Sequence, residues 1–167
     1  MTHIDVHELR DRFQELIGHK CWRVFCGPST GTILSIEFEP LVKRTLPLTT
    51  FNPTLSDDER ALEGAYSLYI ECDWHLQHGS MSLDASTLCD DDVPIVMSTM
   101  TELVGLPVTA VEFTDQQQPL NVCLVFGKSI RLCVFCDQTN ADNYSLFRPG
   151  TVLTVGWDCQ VGEDKRG

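Results

Sequence analysis

The chain has 167 residues, 43% of them hydrophobic and 22% charged, close to globular averages and long enough for a proper core, so wholesale disorder is excluded. Its 24 acidic and 12 basic residues leave a formal net charge of -12, a field that repels nucleic-acid phosphates and anionic membranes and attracts basic partners. No apolar run reaches the length of a membrane span. The opening "MTHIDVHELRDRF" carries acids where a secretory signal needs a continuous apolar stretch. The expectation is a cytoplasmic chain in a reducing compartment, whose eight cysteines are mostly buried free thiols rather than a disulfide framework.

Residues 2–17 predict a helix. Thr2 and Asp5 fit a capping pattern, Val6, Leu9, Phe13, Leu16 and Ile17 share a face, and Gly18 supplies the stop. "CWRVFCG" (21–27) and "TILSIEFE" (32–39) read as strands joined by a Gly/Pro turn, the second with Ser35, Glu37 and Glu39 on a wetter face. Residues 40–64 read as an irregular, Pro-rich insertion. It holds one short helix, with Ser56 and Glu59 as a capping box and Gly64 as its stop. "AYSLYIECDWHL" (65–76) predicts the next strand. Residues 77–92 read as a loop, part of which could add an edge strand.

A second helix is predicted over 93–105, preceded by an aspartate, with Pro94 in its first turn and Gly105 as its end. Strands follow at 107–115, 120–127 and 129–137, then a last one at 151–157, and "GEDKRG" reads as a frayed tail.

This order repeats. Gly18 and Gly105 lie 87 positions apart, "TILSIEF" meets "LNVCLVF" at an offset of 88, and "LYIECD" meets "LCVFCD" at 64. The drop from 88 to 64 is a single gap, and it falls at the Pro-rich insertion. One unit of helix, L-x-G and three strands, written twice over about 2–76 and 93–157, predicts a single pseudo-symmetric domain spanning 1–167. The fold class is α+β: two similar helix-plus-antiparallel-meander halves, with helices packed on one face.

Few constellations carry chemistry. Cys133 and Cys136 have the C-x-x-C spacing of a metal knuckle or redox pair, but Val134 and Phe135 between them are β-rich. In a strand, positions i and i+3 point to opposite faces, so the sulfurs diverge and should not be bonded to each other. The repeat maps Cys136 onto Cys72 and Cys133 onto Tyr69, which suggests packing positions. His75 and His78, near Cys72 and Asp73, and His3 with His7 one helical turn apart, read as solvated histidines rather than metal ligands. Trp22, Trp74 and Trp157 read as core or edge packing at strand positions. "CGPSTGT" (26–32) joins two strands and reads as a hairpin turn, and no nucleophile elbow or phosphate-cradling loop occurs in the sequence.

The acidic runs Asp57-Asp58-Glu59 and Asp90-Asp91-Asp92 precede or open helices, where they favour the helix dipole. Their functional reading is an acidic surface for a basic protein partner.

"LIGHKCWRV" (16–24) and "LVGLPVTAV" (103–111), with the strands after them, give the chain a resemblance to small bacterial α+β proteins of uncharacterised or toxin-immunity type. The resemblance covers about half the chain. It implies a stoichiometric binder without catalytic residues, and no functional residue is carried over from it. The expected function is therefore a non-enzymatic cytosolic binding protein, an acidic inhibitor of a basic toxin or nuclease, using no cofactor or metal. The alternatives are a small-molecule-binding protein or enzyme with a pocket between the halves, and a homodimer built on an exposed strand edge.

Overall fold

The computed structural model describes residues 2–26, 33–46, 48, 54–113, 120–137 and 141–166. In chain order the strands and α-helices are β1 (Thr2–His3), α1 (Val6–Gln14), β2 (Cys21–Cys26), β3 (Leu34–Lys43), α2 (Asp57–Ala61), β4 (Leu62–Ile70), β5 (Trp74–His78), β6 (Met81–Asp84), α3 (Val93–Met100), β7 (Val108–Phe113), β8 (Val122–Phe126), β9 (Ile130–Val134), β10 (Tyr144–Arg148), β11 (Thr151–Val155) and β12 (Val161–Lys165). Short 3-10 turns precede and follow α3. The chain is mostly β-sheet with few helices, and α+β describes it at that level.

Among the described residues every strand pairing is antiparallel. The larger sheet runs β1-β12-β11-β10-β4-β3-β2 and the smaller β6-β5-β9-β8-β7. Alternation along β3 buries Leu34, Ile36 and Phe38 and leaves Ser35, Glu37 and Glu39 on the wetter face. The two sheets share one core, in which Phe38 of β3 stacks on Phe126 of β8 with centroids 6.2 Å apart. Phe13 of α1 enters it edge-on, 5.8 Å from both Phe113 and Tyr144.

The sheets also meet through backbone. Gly18 N–H donates to Val108 O and Gly105 N–H to Cys21 O, each at 2.8 Å. Cys21 N–H donates to Leu106 O and Val108 N–H to His19 O, each at 2.9 Å. Gly18 and Gly105 both take positive φ, 91° and 84°, the left-handed geometry that glycine adopts without a steric penalty after a helix. Each long helix packs on the far meander, α1 against β7 and α3 against β2.

Several sequence expectations are corrected. The first helix starts at Val6, because Asp5 accepts from His7 and Glu8 N–H while Glu8 caps Asp5 in return. Thr2 and His3 instead pair with β12, so His3 and His7 do not share a helical turn. The stretch 40–43 is not irregular but continues β3, and Gly64 sits inside β4 opposite Leu41 rather than ending a helix. The predicted strand 65–76 is two strands in different sheets: β4 ends at Ile70, and β5 begins at Trp74. Residues 81–84 do form the edge strand β6. The supposed tail is β12, held between β11 and β1. Trp157 is 57% exposed beyond the end of β11 rather than packed in a strand. The expected turn at 27–32 lies outside the described residues.

Candidate functional site

The two acidic runs are placed in different elements, and each is partly spent on local structure. In α2, Glu59 accepts from Ser56 N–H and Oγ at 2.8 Å, and its N–H returns a bond to Ser56 Oγ. These bonds, with Arg23 and Arg60 beside it, hold its carboxyl below the usual range, so it is ionised at neutral pH. Asp57 and Asp58 are exposed in the same turn. Asp90, Asp91 and Asp92 form a 3-10 turn ahead of α3. Asp92 does not cap α3 with its side chain but accepts from Cys89 N–H at 2.9 Å and Cys89 Sγ at 3.3 Å, which lowers its pKa.

Glu59 of the α2 run lines a groove. Its cavity of about 320 Å³ is walled by Trp22, Phe25 and Arg23 of β2, by Met97 of α3 with Thr101 and Val104 beyond it, and by Leu55 and Glu59. Arg23 reaches Glu59 across it at 4.0 Å and lies over the Phe25 ring at 6.0 Å. Phe25 is 48% and Val104 45% exposed, so the groove offers apolar surface beside acid. Trp22 Nε1 is buried without a hydrogen-bond partner.

The positive charges are largely engaged. Arg44 pairs with Glu37 and Glu63, each at 3.1 Å; Arg148 with Glu15 at 2.6 Å and Glu163 at 2.7 Å; Arg131 with Glu112 at 2.5 Å; and Arg166 with Glu63 at 3.2 Å. Among the described residues no ion pair engages Asp57, Asp58 or Asp91, so the acid excess faces solvent.

The histidines go to separate partners. His75 Nε2 lies 2.5 Å from Ser82 Oγ, and His78 Nδ1 2.8 Å from Glu102. Among the described residues no three His, Cys, Asp or Glu side chains are placed to hold a metal ion.

The cysteines depart from the expectation of buried free thiols. Cys123 and Cys133 are joined by a disulfide, as direct cross-strand partners on β8 and β9. Cys21, Cys26 and Cys72 are buried and free, with burial pushing the Cys21 thiol up to about 12. Cys89 and Cys159 are exposed, and Cys136 is half-buried. Cys133 is bonded to Cys123 and not to Cys136. Cys136 lies beyond the end of β9, where its sulfur is 3.7 Å from that of Cys159. That second thiol pair was missed because its residues lie in an assumed strand end and an assumed coil. The disulfide left a signal, since a three-residue turn at Gly127–Ser129 sets Cys123 opposite Cys133.

Comparison of the chain with protein-family models, curated proteins and solved structures finds no match.

Proposed function

We propose that the chain is a non-enzymatic binding protein that docks a basic polypeptide segment in the groove between β2, α2 and α3. One observation carries this reading: Glu59 lines a groove with exposed apolar side chains, and Asp57 and Asp58 stand exposed in the same turn without an ion pair among the described residues. Lysine or arginine side chains of the partner lie against Asp57 and Asp58, and its apolar side chains pack on the exposed Phe25 and Val104. Asp91, exposed in the turn ahead of α3, adds to the acidic field that steers the encounter. A stoichiometric inhibitor of a basic toxin or nuclease in the cytoplasm fits this chemistry.

The scaffold is proposed to be two copies of one helix-plus-meander unit. Several observations support this. The four backbone bonds that join the sheets form two pairs that interchange on adding 87 to one half. β2–β3 slips register between Cys21 and Arg23, and β7–β8 slips between Val108 and Ala110. The stacked Phe38 and Phe126 stand at equivalent positions.

The test is a pull-down from native lysate at low and high salt, comparing the parent chain with D57N/D58N/E59Q. The expected result is capture of a basic protein at low salt, lost at high salt and lost in the variant. Failure to capture any basic protein at low salt, or capture unchanged by neutralisation, would end this reading.

A further inference from the structure

Cys159 sits in the turn that joins β11 to β12. Its N–H donates to Gly156 O at 3.1 Å, Gly156 N–H donates to Gln160 O at 2.9 Å, and Gln160 N–H to Asp158 Oδ1 at 3.1 Å. Within that closed turn Cys159 takes φ 58°, the positive φ of a residue other than glycine among the described residues. Such conformations persist where surrounding bonds over-determine them, and they concentrate at functional positions. Cys136 is anchored from the other side, its N–H donating to the buried Asn121 Oδ1 at 2.7 Å. Two thiols from different sheets are thus held in van der Waals contact, 3.7 Å apart, by backbone bonds on both sides.

Both sulfurs line a cavity of about 510 Å³ whose apolar wall includes Ile4, Val6, Leu120 and Val161. Cys159 is exposed at its mouth, while Cys136 is half-buried behind it. Burial first, and then the hydrogen bond with Cys159, push the Cys136 thiol up to about 12, which leaves Cys159 as the sulfur that meets a reagent first. Cys72, close behind, is buried and held further up by burial, so it is shielded. Cys89 is exposed elsewhere and bonded to Asp92, which provides an internal comparison.

We propose that Cys159 and Cys136 form an oxidisable thiol pair that reacts with hydrogen peroxide to close a disulfide across the mouth of this cavity. In the first step the Cys159 sulfur attacks the peroxide, the O–O bond breaks, and sulfenic acid and one water form. In the second, the Cys136 sulfur displaces the sulfenic oxygen as a second water, and the S–S bond forms. The thiol pair loses two electrons and two protons, and the peroxide is reduced to two waters. Closing the bond needs a sulfur–sulfur approach of about 1.7 Å from contact. The product ties the β11–β12 turn of the larger sheet to the exit of β9 in the smaller one.

The full chain is treated with equimolar hydrogen peroxide in native buffer and mapped as non-reduced peptides. The expected result is a peptide containing Cys136 joined to one containing Cys159, two free thiols lost per chain, and full reversal by dithiothreitol. C89S gives the same map, and C136S accumulates a dimedone-reactive sulfenic acid at Cys159. The proposal is overturned if Cys159 joins any other cysteine or a second chain, if Cys89 oxidises ahead of Cys159, or if Cys159 stays reduced. The map of the parent chain decides the matter even where C136S does not fold.

Discussion

Replacing Gly64 by alanine tests the packing of β3 on β4 at its tightest point. A Cβ added at Gly64 would lie 2.4 Å from Phe38 O, 2.6 Å from Phe38 N and 2.8 Å from Tyr66 O, all backbone atoms. An ordinary C···O contact is about 3.3 Å, so the strands must part by roughly 1 Å where the register slips between Phe38 and Leu41. Overpacking of this kind costs about 1–3 kcal/mol, and stretching two ladder hydrogen bonds adds about 1 kcal/mol each. Alanine's smaller unfolded-state entropy returns about 0.5–1 kcal/mol, which leaves a net loss of about 2–4 kcal/mol. For a chain of this size that lowers Tm by roughly 4–16 °C. The assay is urea unfolding followed by tryptophan fluorescence, with Gly79→Ala as the comparison. Gly79 has φ 59° but open space around it, so its alanine variant loses only about 1–2 kcal/mol from the left-handed backbone. A Gly64→Ala variant within about 0.5 kcal/mol of the parent would refute the close approach of the two strands.

Tyr144 is fully buried and its hydroxyl donates to Leu120 O at 2.6 Å. Tyr144→Phe leaves that carbonyl unpaired and should lower unfolding free energy by about 1–3 kcal/mol, read from the same urea curves. Arg148 bridges Glu15 and Glu163 with its own side chain 14% exposed. Arg148→Met should cost about 2 kcal/mol, and a double-mutant cycle with Glu15→Gln should show positive coupling. Asp73 has its carboxyl pKa raised above 3.8 by burial, then by Asp137 and by Asp84. The folded state therefore holds a proton that the unfolded state has released, and stability falls as pH rises from 3.8 through the folded value. Asp73→Asn should thus gain stability at neutral pH, by less than about 1 kcal/mol because the site is largely solvated, and lose that gain as the pH drops towards 3.8. Thermal melts at a series of pH values measure it, and a gain that persists at low pH contradicts the assignment.

What could be read from the chain was whatever depends on local periodicity. The strands expected at 21–27, 107–115, 120–127 and 129–137 are found at 21–26, 108–113, 122–126 and 130–134, the last ending short of Cys136, and the Ser56–Glu59 capping box opens α2 as expected. Errors fall where a distant partner decides. Asp5–Glu8 is as good a capping box as Thr2–Asp5, and pairing of Thr2 and His3 with β12 selects between them. β12 carries Glu163, Asp164 and Lys165 with no alternating apolar run, and it is a strand because β11 and β1 saturate its backbone. Cys72 and Asp73 interrupt an unbroken β-rich stretch because Cys72 N–H turns to Asn143 O, while Asp73 O accepts from Phe135 in the other sheet.

The same division separates scaffold from site. Positions related by the offsets 87, 88 and 64 are core: Val24 and Val111, Ile36 and Leu124, Leu68 and Leu132 are all buried. Part of each candidate site lies on segments outside the proposed repeat. The groove owes its acid and its far wall to Leu55–Glu59, inside the insertion that opens the gap between the units. The thiol-lined cavity owes Cys159 and Val161 to the segment after 157, beyond the second of the proposed units. If the core is duplicated as proposed, it supplies a frame common to both units, and residues outside that match are the ones that make one side of the molecule differ from the other. Substitutions at Asp57, Asp58 or Cys159 should therefore alter binding or oxidation with small changes in Tm, whereas Phe38→Ala or Phe126→Ala should each cost about 3–5 kcal/mol. Comparable melting losses from the two classes, measured side by side, would show that frame and site are not separable in this way.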